Sequence, residues 1–290
     1  MKKTFLGKIS KKKADRFEVM FEDKIFKGRP RGRIKLIDNL YVGDNVEFTI
    51  EDSFANIEKI LPRTNSLIRP NVSNIDKALI VIAKEPEPDF LLVDKMIINC
   101  YANGIEPIIC FNKADLIVKE EIDRLLLPYK KFMKCITISA TEKDNLDELK
   151  DVFKEGVTCL AGQSAVGKTT ILNSILDLDL RTAKLSEKIS RGKHTTRHVE
   201  IYKVLGGMVM DTAGFSVLTL VDKEPNLLKD FYHEFLEIQN RCRFSSCLHI
   251  NEPDCAVIQA YEDGKIDSGR YNRYLQIYKE VKTAYDEKFI

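Results

Sequence analysis

The chain has 290 residues, 44% of them hydrophobic and 31% charged, with 14 Gly and 9 Pro, a balance that fits a globular protein of two or three domains and excludes a disordered or fibrous one. Its formal charge of +2 conceals an asymmetry: residues 1–65 carry 15 Lys/Arg against 10 Asp/Glu and the remainder 31 against 34, so a basic leading module suited to a polyanionic partner such as nucleic acid precedes a weakly acidic body. No apolar run reaches the roughly 18 residues of a membrane span and MKKTFLGKISKKK lacks the apolar stretch of a signal peptide, so the expected location is the cytoplasm, with no membrane partner.

In chain order, segments 4–9, 16–21, 33–37, 45–50 and 55–60 alternate apolar and polar residues between Gly, Asp and Asn turns, which predicts five short strands and a small β-barrel. From about Asn71 the pattern changes. Apolar strands at 78–83, 107–111, 135–139, 157–161, 199–204 and 208–210 alternate with helical stretches such as 91–103 and 147–154, the rhythm of a mostly parallel sheet covered by helices. After about Leu220 the strands stop, and the rest reads as helix around a Cys-rich loop between Arg241 and Cys255. The expected architecture is α/β in three domains, 1–65, 66–220 and 221–290.

GQSAVGKT at 162–169 matches GxxxxGK[ST] and stands between the strand VTCLA and the helical run TILNSIL, the context a phosphate-binding loop needs. The backbone of Gly162, Gln163, Ser164, Ala165, Val166 and Gly167 would face the phosphates at a helix N-terminus. Lys168 supplies a cation for the β- and γ-phosphates, the Thr169 hydroxyl can bind Mg²⁺, and Thr170 completes the set. NKAD at 112–115 names the base. It follows the strand PIICF, so Asn112, Lys113, Ala114 and Asp115 emerge at the carboxyl edge of the sheet, where ligands bind in open α/β folds. The Asp115 carboxylate can accept from both N1–H and the 2-amino group of guanine, whereas adenine would turn an acceptor toward it, so the expected ligands are GTP and GDP. Ser139 and Ala140, after the strand CITI, suit a backbone contact to the guanine carbonyl. DTAG at 211–214 follows GMVM: Asp211 can hold Mg²⁺ through water and the Gly214 amide can sense the γ-phosphate. Between the two motifs runs a long segment, 180–198, in which Thr195 or Thr196 is the candidate ligand that closes on Mg²⁺ and γ-phosphate; the sequence does not choose between them.

Of seven cysteines, Cys100, Cys110, Cys135 and Cys159 stand singly among apolar residues. Cys242, Cys247 and Cys255 cluster with His249 as CxxxxCxHxxxxxC, three thiolates and an imidazole, enough for a closed tetrahedral and therefore structural Zn²⁺ site. Farther on, Tyr271, Tyr274, Tyr278 and Tyr285 recur at helical spacing beside Arg270, Arg273, Lys279 and Lys282, fitting either a helix packed on its domain core or an RNA-stacking face. In the leading module, Lys11, Lys12 and Lys13 with Arg29, Arg31 and Arg33 are candidates for phosphate contacts.

GQSAVGKT, GKHTTR, DTAGF, NKAD and SA together resemble the G motifs of Ras-like GTPases, with NKAD and SA placed ahead of the phosphate loop, the order of a circular permutation. With the RGR…VGD stretch at 31–44 before them and the Cys/His cluster after, essentially the whole chain resembles the bacterial ribosome small subunit-dependent GTPases of the RsgA (YjeQ/YloQ) family. The resemblance implies an N-terminal OB-fold, a circularly permuted GTPase domain and a C-terminal zinc domain. It also implies binding to the 30S subunit and its 16S rRNA late in maturation, with ribosome-stimulated hydrolysis of GTP to GDP and phosphate by a chain expected to be monomeric. Ala165 departs from the family's usual Gly. Phe215 stands where a Ras-like protein has its water-positioning Gln, and His194 resembles the family's water-orienting histidine. His198 and His233 read as surface residues. A rival reading is a P-loop small-molecule kinase with a zinc-stabilised lid, against which NKAD and DTAG together argue.

Overall fold

The computed structural model describes residues 3–13, 16–31, 40–67, 71–182, 199–211 and 224–287. The leading module contains β1 (Thr4–Lys13), β2 (Arg16–Phe21), β3 (Lys24–Pro30), β4 (Asn45–Glu51) and β5 (Phe54–Ile60). They hydrogen-bond in the order β1-β2-β3-β5-β4, and β4 pairs back to β1, so the sheet closes into the five-stranded barrel of an OB-fold. Closure has a local cause. A side chain at Gly7 would sit 2.8 Å from the Phe48 ring and from Val19, so only glycine lets β1 bend across the barrel interior filled by Ile9, Val19, Val46, Phe48 and Ile57. Four of the five expected strands are found, but the third is Lys24–Pro30, and the segment 33–37 lies outside the described residues. Most of β3 is at least partly exposed, with Ile25 51% accessible, so it lacks the apolar alternation that betrays a strand.

A two-residue ribbon, β6 (Ser66–Leu67) with β7 (Val72–Ser73), leads into the central unit. There β8 (Lys77–Ile82), α1 (Phe90–Tyr101), β9 (Glu106–Phe111), α2 (Lys119–Lys130), β10 (Cys135–Thr137), α3 (Leu146–Phe153), β11 (Val157–Ala161), α4 (Lys168–Thr182), β12 (Glu200–Val204) and β13 (Gly207–Asp211) follow one another. The strand order is β10-β9-β8-β11-β13-β12, parallel except where β12 meets β13. Both faces are buried. Ala78, Ile80 and Ile82 point to a core shared with α1 and α2, while Leu79, Val81 and Ala83 point to one shared with α3 and α4, the period of two expected of a covered strand. The chain leaves β8 for β9 on one side and returns to β11 on the other, so the crevice between the loops after β8 and β11 is a topological switch point.

The final segment folds as α5 (His233–Leu236), α6 (Ala256–Glu262) and α7 (Ser268–Asp286). Its core holds Tyr232, Phe235, Val257, Tyr271, Tyr274, Ile277 and Val281, together with Ile98 of α1. Tyr271 and Tyr274 are 4% and 0% accessible, which decides for these two between core packing and RNA stacking. No helix among the described residues is long and apolar enough to cross a membrane.

Both outer modules are tied to the central one by charge. In the barrel, Asp44 of the VGD turn is fully buried and accepts from Arg63 Nε (2.6 Å), Ser73 Oγ (2.6 Å) and the Tyr41 amide (2.8 Å). Lys11 pairs with Glu200 of β12 at 2.7 Å. Lys12 donates to the Leu40 carbonyl and Arg31 pairs with Glu51 and Glu58, so three of the basic residues expected to meet phosphates already have partners within the protein.

Candidate functional site

The phosphate loop runs from the end of β11 into α4. Gly162 has φ +125°, and a side chain there would collide with the Val81 carbonyl; at Gly167, with φ +96°, it would strike the Asn112 amide. Both glycines are therefore required by backbone shape and close approach. Ala165 also takes a left-handed φ of +64°, a conformation that costs an L-residue about 1 kcal/mol. Ala165→Gly is expected to raise the unfolding free energy by about 0.5–1 kcal/mol, or 1–3 °C in melting temperature, measurable by calorimetry.

Asn112 joins the motifs that the sequence separates. Its Nδ2 donates to the Val166 carbonyl at 2.9 Å and its Oδ1 accepts from the Ala140 amide at 3.0 Å. Lys113, in a left-handed conformation with φ +61°, donates to the Ala165 carbonyl at 3.0 Å and to the Glu85 carbonyl at 2.7 Å. The Ala114 amide bonds the Ile138 carbonyl. Ser174 of α4, unremarked in the sequence, holds the Ala140 carbonyl at 3.0 Å, while Ser139 caps its own turn by accepting from the Glu142 amide. Asp115 is exposed at the rim of this assembly. NKAD, SA and the phosphate loop thus form one hydrogen-bonded unit.

Lys168 places its ammonium on the carbonyls of Gly162 (2.8 Å) and Gln163 (2.5 Å). Burial lowers its pKa while the Asp211 carboxylate works to raise it, and burial raises that of Asp211 against the opposing pull of Lys168. Asp211 ends β13 in register with Leu160 of β11. A cation and a carboxylate thus share a partly desolvated edge of the sheet, a donor set that fits a phosphate–Mg²⁺ pair. Thr169 and Thr170 are exposed at the start of α4. His194, Thr195, Thr196 and Gly214 lie outside the described residues, as does Phe215.

In the C-terminal module the ligand atoms of Cys242, Cys247, His249 and Cys255 all lie within 4.8 Å of one another. Cys242 Sγ is 3.9 Å from Cys255 Sγ, and His249 Nδ1 is 3.6 Å from the first and 3.3 Å from the second. A tetrahedron with Zn–S near 2.3 Å and Zn–N near 2.0 Å has edges of about 3.8 Å between sulfurs and about 3.5 Å between sulfur and nitrogen, so the cluster suits zinc. Burial pushes the Cys247 thiol up to about 12 and the His249 imidazole down to about 4, leaving the histidine neutral and able to ligate. Its Nε2 faces Gln239 Oε1 at 3.4 Å, a partner that orients the ring. Glu252 accepts from the amides of Leu248 (2.7 Å), Ile250 (2.8 Å) and Asn251 (3.1 Å); burial opposes its charge, but these donors outweigh it and lower its pKa. Tyr271 and Tyr274 hydrogen-bond the carbonyls of His249 and Leu248. The loop is fastened to α7, unlike a lid.

The model of the RsgA GTPase family matches residues 60–221, and the chain is 42% identical over 283 residues, 95% of each sequence, to the small ribosomal subunit biogenesis GTPase RsgA of Caldanaerobacter subterraneus. The chain belongs to the RsgA GTPase family. An RsgA of Clostridium acetobutylicum is 39% identical over 97% of this chain and 99% of its own length. Among solved structures, YjeQ from Thermotoga maritima superposes with a TM-score of 0.82 at 31% identity, covering 96% of this chain and 98% of its own. YloQ, described as a circularly permuted GTPase, gives 0.80 at 33% identity over 97% and 96%. Circular permutation of the GTPase motifs is thus a property this RsgA family member shares with YloQ.

Three features at the module boundary escape a reading of the sequence. Arg270, expected beside the tyrosines as a possible RNA contact, is 3% accessible and bonded to Glu234 (2.7 and 3.1 Å) and to Asp94 (2.6 Å). Arg273 bonds the other Asp94 oxygen at 2.6 Å and the Tyr129 hydroxyl at 3.1 Å. His233, expected at the surface, stacks on Tyr101 of α1 with ring centroids 4.1 Å apart. Within one segment nothing distinguishes such residues from solvated ones, because their partners lie far away in the chain.

Proposed function

We propose that this chain is a GTPase of small ribosomal subunit biogenesis, which hydrolyses GTP to GDP and phosphate and is stimulated by the 30S particle. The observation that carries the reading is the Asn112 side chain, which binds the phosphate loop with one atom and the Ser139–Ala140 turn with the other. Motifs in rotated order then serve one nucleotide. Asn112, Lys113, Ala114 and Asp115 with Ser139 and Ala140 take the guanine. Gly162, Gln163, Ser164, Ala165, Val166, Gly167, Lys168, Thr169 and Thr170 take the phosphates. Mg²⁺, when bound, neutralises phosphate charge; Thr169 and Asp211 would hold it, with Thr195 or Thr196 closing on it. The Gly214 amide senses the γ-phosphate, and His194 orients the attacking water.

Residues 1–65 form the RNA-binding barrel, 66–220 the GTPase domain and 221–290 the zinc domain, with Cys242, Cys247, His249 and Cys255 as ligands of one structural Zn²⁺. Among the described residues Lys13 and Arg29, exposed on the barrel, are left for phosphate contacts with 16S rRNA, with Arg33 outside the described residues; the guanidinium of Arg29 lies 3.2 Å from the Phe54 ring centre, a ready stacking surface. The protein acts as a cytoplasmic monomer. GTP turnover is expected to rise on the order of tenfold or more when 30S subunits are added, with GTP preferred over ATP by about 100-fold in competition. Equal turnover with and without subunits, or a site that prefers ATP, overturns the assignment.

A further inference from the structure

The Gln163 side chain reaches out of the phosphate loop to the connection between β8 and α1. Its Oε1 accepts from the backbone amide of Asp89 at 3.0 Å and its Nε2 donates to the Glu87 carbonyl at 3.3 Å. Asp89 is the N-cap of α1, its carboxylate accepting from the Leu92 amide at 3.0 Å. The same connection is held from its other end by Lys113, through the Glu85 carbonyl.

From this anchor α1 runs between two cores. Val93, Met96, Ile97 and Cys100 pack against the central sheet, whereas Ile98 belongs to the C-terminal core and Leu91 packs against it. One turn in from the cap, Asp94 is fully buried and receives Arg270, Arg273 and Tyr129. Lys95 pairs with Glu280 of α7 at 2.5 Å. A helix held at its cap and along the face that carries Asp94, Lys95 and Ile98 moves as a unit, because packed cores shift between discrete arrangements and do not deform smoothly.

We propose that Gln163 is a positioning residue that transmits the state of the phosphate loop to α1 and, through Asp94, to the C-terminal Cys/His module. This rests on the nucleotide site proposed above. It is a path separate from the exit of the chain after Asp211. The driving contact is on the same residue: the Gln163 carbonyl accepts from the Lys168 ammonium, and phosphates that draw the ammonium away change the hydrogen bonding of Gln163 itself. A ligand shifts a second site only through such a difference in contacts between two states.

The test is amide hydrogen exchange across α7, without nucleotide and with a non-hydrolysable GTP analogue at concentrations that calorimetry shows to be saturating. In the wild-type chain, exchange in α7 is expected to change by about fivefold or more on binding, the lower end of ordinary site-to-site coupling. In Gln163→Ala the change shrinks to less than about twofold at saturation, so that any loss of affinity does not enter. Asp89→Ala loosens the helix cap but keeps the backbone amide that Gln163 accepts from, and it retains the wild-type response. A full response in Gln163→Ala, or a saturated wild type with no change in α7, overturns the proposal. A wild type that takes up no analogue is read in the calorimeter first and overturns the nucleotide site together with this coupling.

Discussion

Stripping the metal from the Cys/His cluster with a chelator is expected to unfold residues 224–287 while the barrel and central sheet stay folded. A segment below roughly 70 residues seldom stabilises itself by a single core, and this one also buries Glu234, His249 and Arg270. Without a cation, His249 is neutral and Cys247 keeps its proton, its pKa pushed up to about 12 by burial. What remains is a ring of weakly bonded thiols around an imidazole. Bound Zn²⁺ would hold them as thiolates, a gain of about 10–16 kcal/mol in small zinc modules near neutral pH. Because ligation requires the thiols to lose protons, the metal is held at neutral and higher pH and released as the pH falls. Limited proteolysis before and after chelation reads the outcome: new cuts within α6 and α7 are expected, and restored zinc abolishes them. An unchanged digestion pattern in metal-free protein would sink the structural role.

Asp94→Ala should lower the unfolding free energy by about 3–5 kcal/mol, the usual cost of removing one partner from a buried ion pair. Asp94 and Glu234 face Arg270 and Arg273 in a balanced set of two carboxylates and two guanidinium groups, with the side chains of Asp94 and Arg270 at 0% and 4% exposure. Burial works against the charge on Arg270, and the two carboxylates outweigh it and raise its pKa well above the ordinary value. Deleting Asp94 leaves a net positive charge away from water and a Tyr129 hydroxyl without its acceptor. Arg273→Ala costs less, because that side chain is 19% exposed and water can replace part of what it loses. Replacing all four charged residues by apolar ones of similar size is expected to come close to neutral. Urea titration measures each case, and a loss under about 1 kcal/mol for Asp94→Ala would show that the network contributes little.

The parts of the site that were legible are those whose chemistry sits in one short stretch. Gly162 and Gly167 stand where one loop turns through positive φ, +125° and +96°. Lys168 and Asp115 each stand in one short motif, and Cys242, Cys247, His249 and Cys255 fall within fourteen residues. The sheet was legible for the same reason, since 78–83 alternates between two buried faces and shows it in its apolar run. The third barrel strand was missed because its apolar residues are partly exposed, so burial imposes no pattern on it.

The sequence by itself determined which residue types this protein brings together: a phosphate-loop motif, the carboxylate of NKAD, three cysteines and a histidine in one short stretch, and the rotated order in which the chain meets the nucleotide motifs. Tertiary structure alone decided which charges are spent inside the molecule. Arg270 meets Asp94 across 176 positions and Lys11 meets Glu200 across 189, and no local pattern tells a guanidinium facing a carboxylate from one facing water. The physical reason is that covalent geometry and hydrophobic periodicity act over a few residues, whereas an ion pair depends only on distance in space, which the fold sets after the chain has closed.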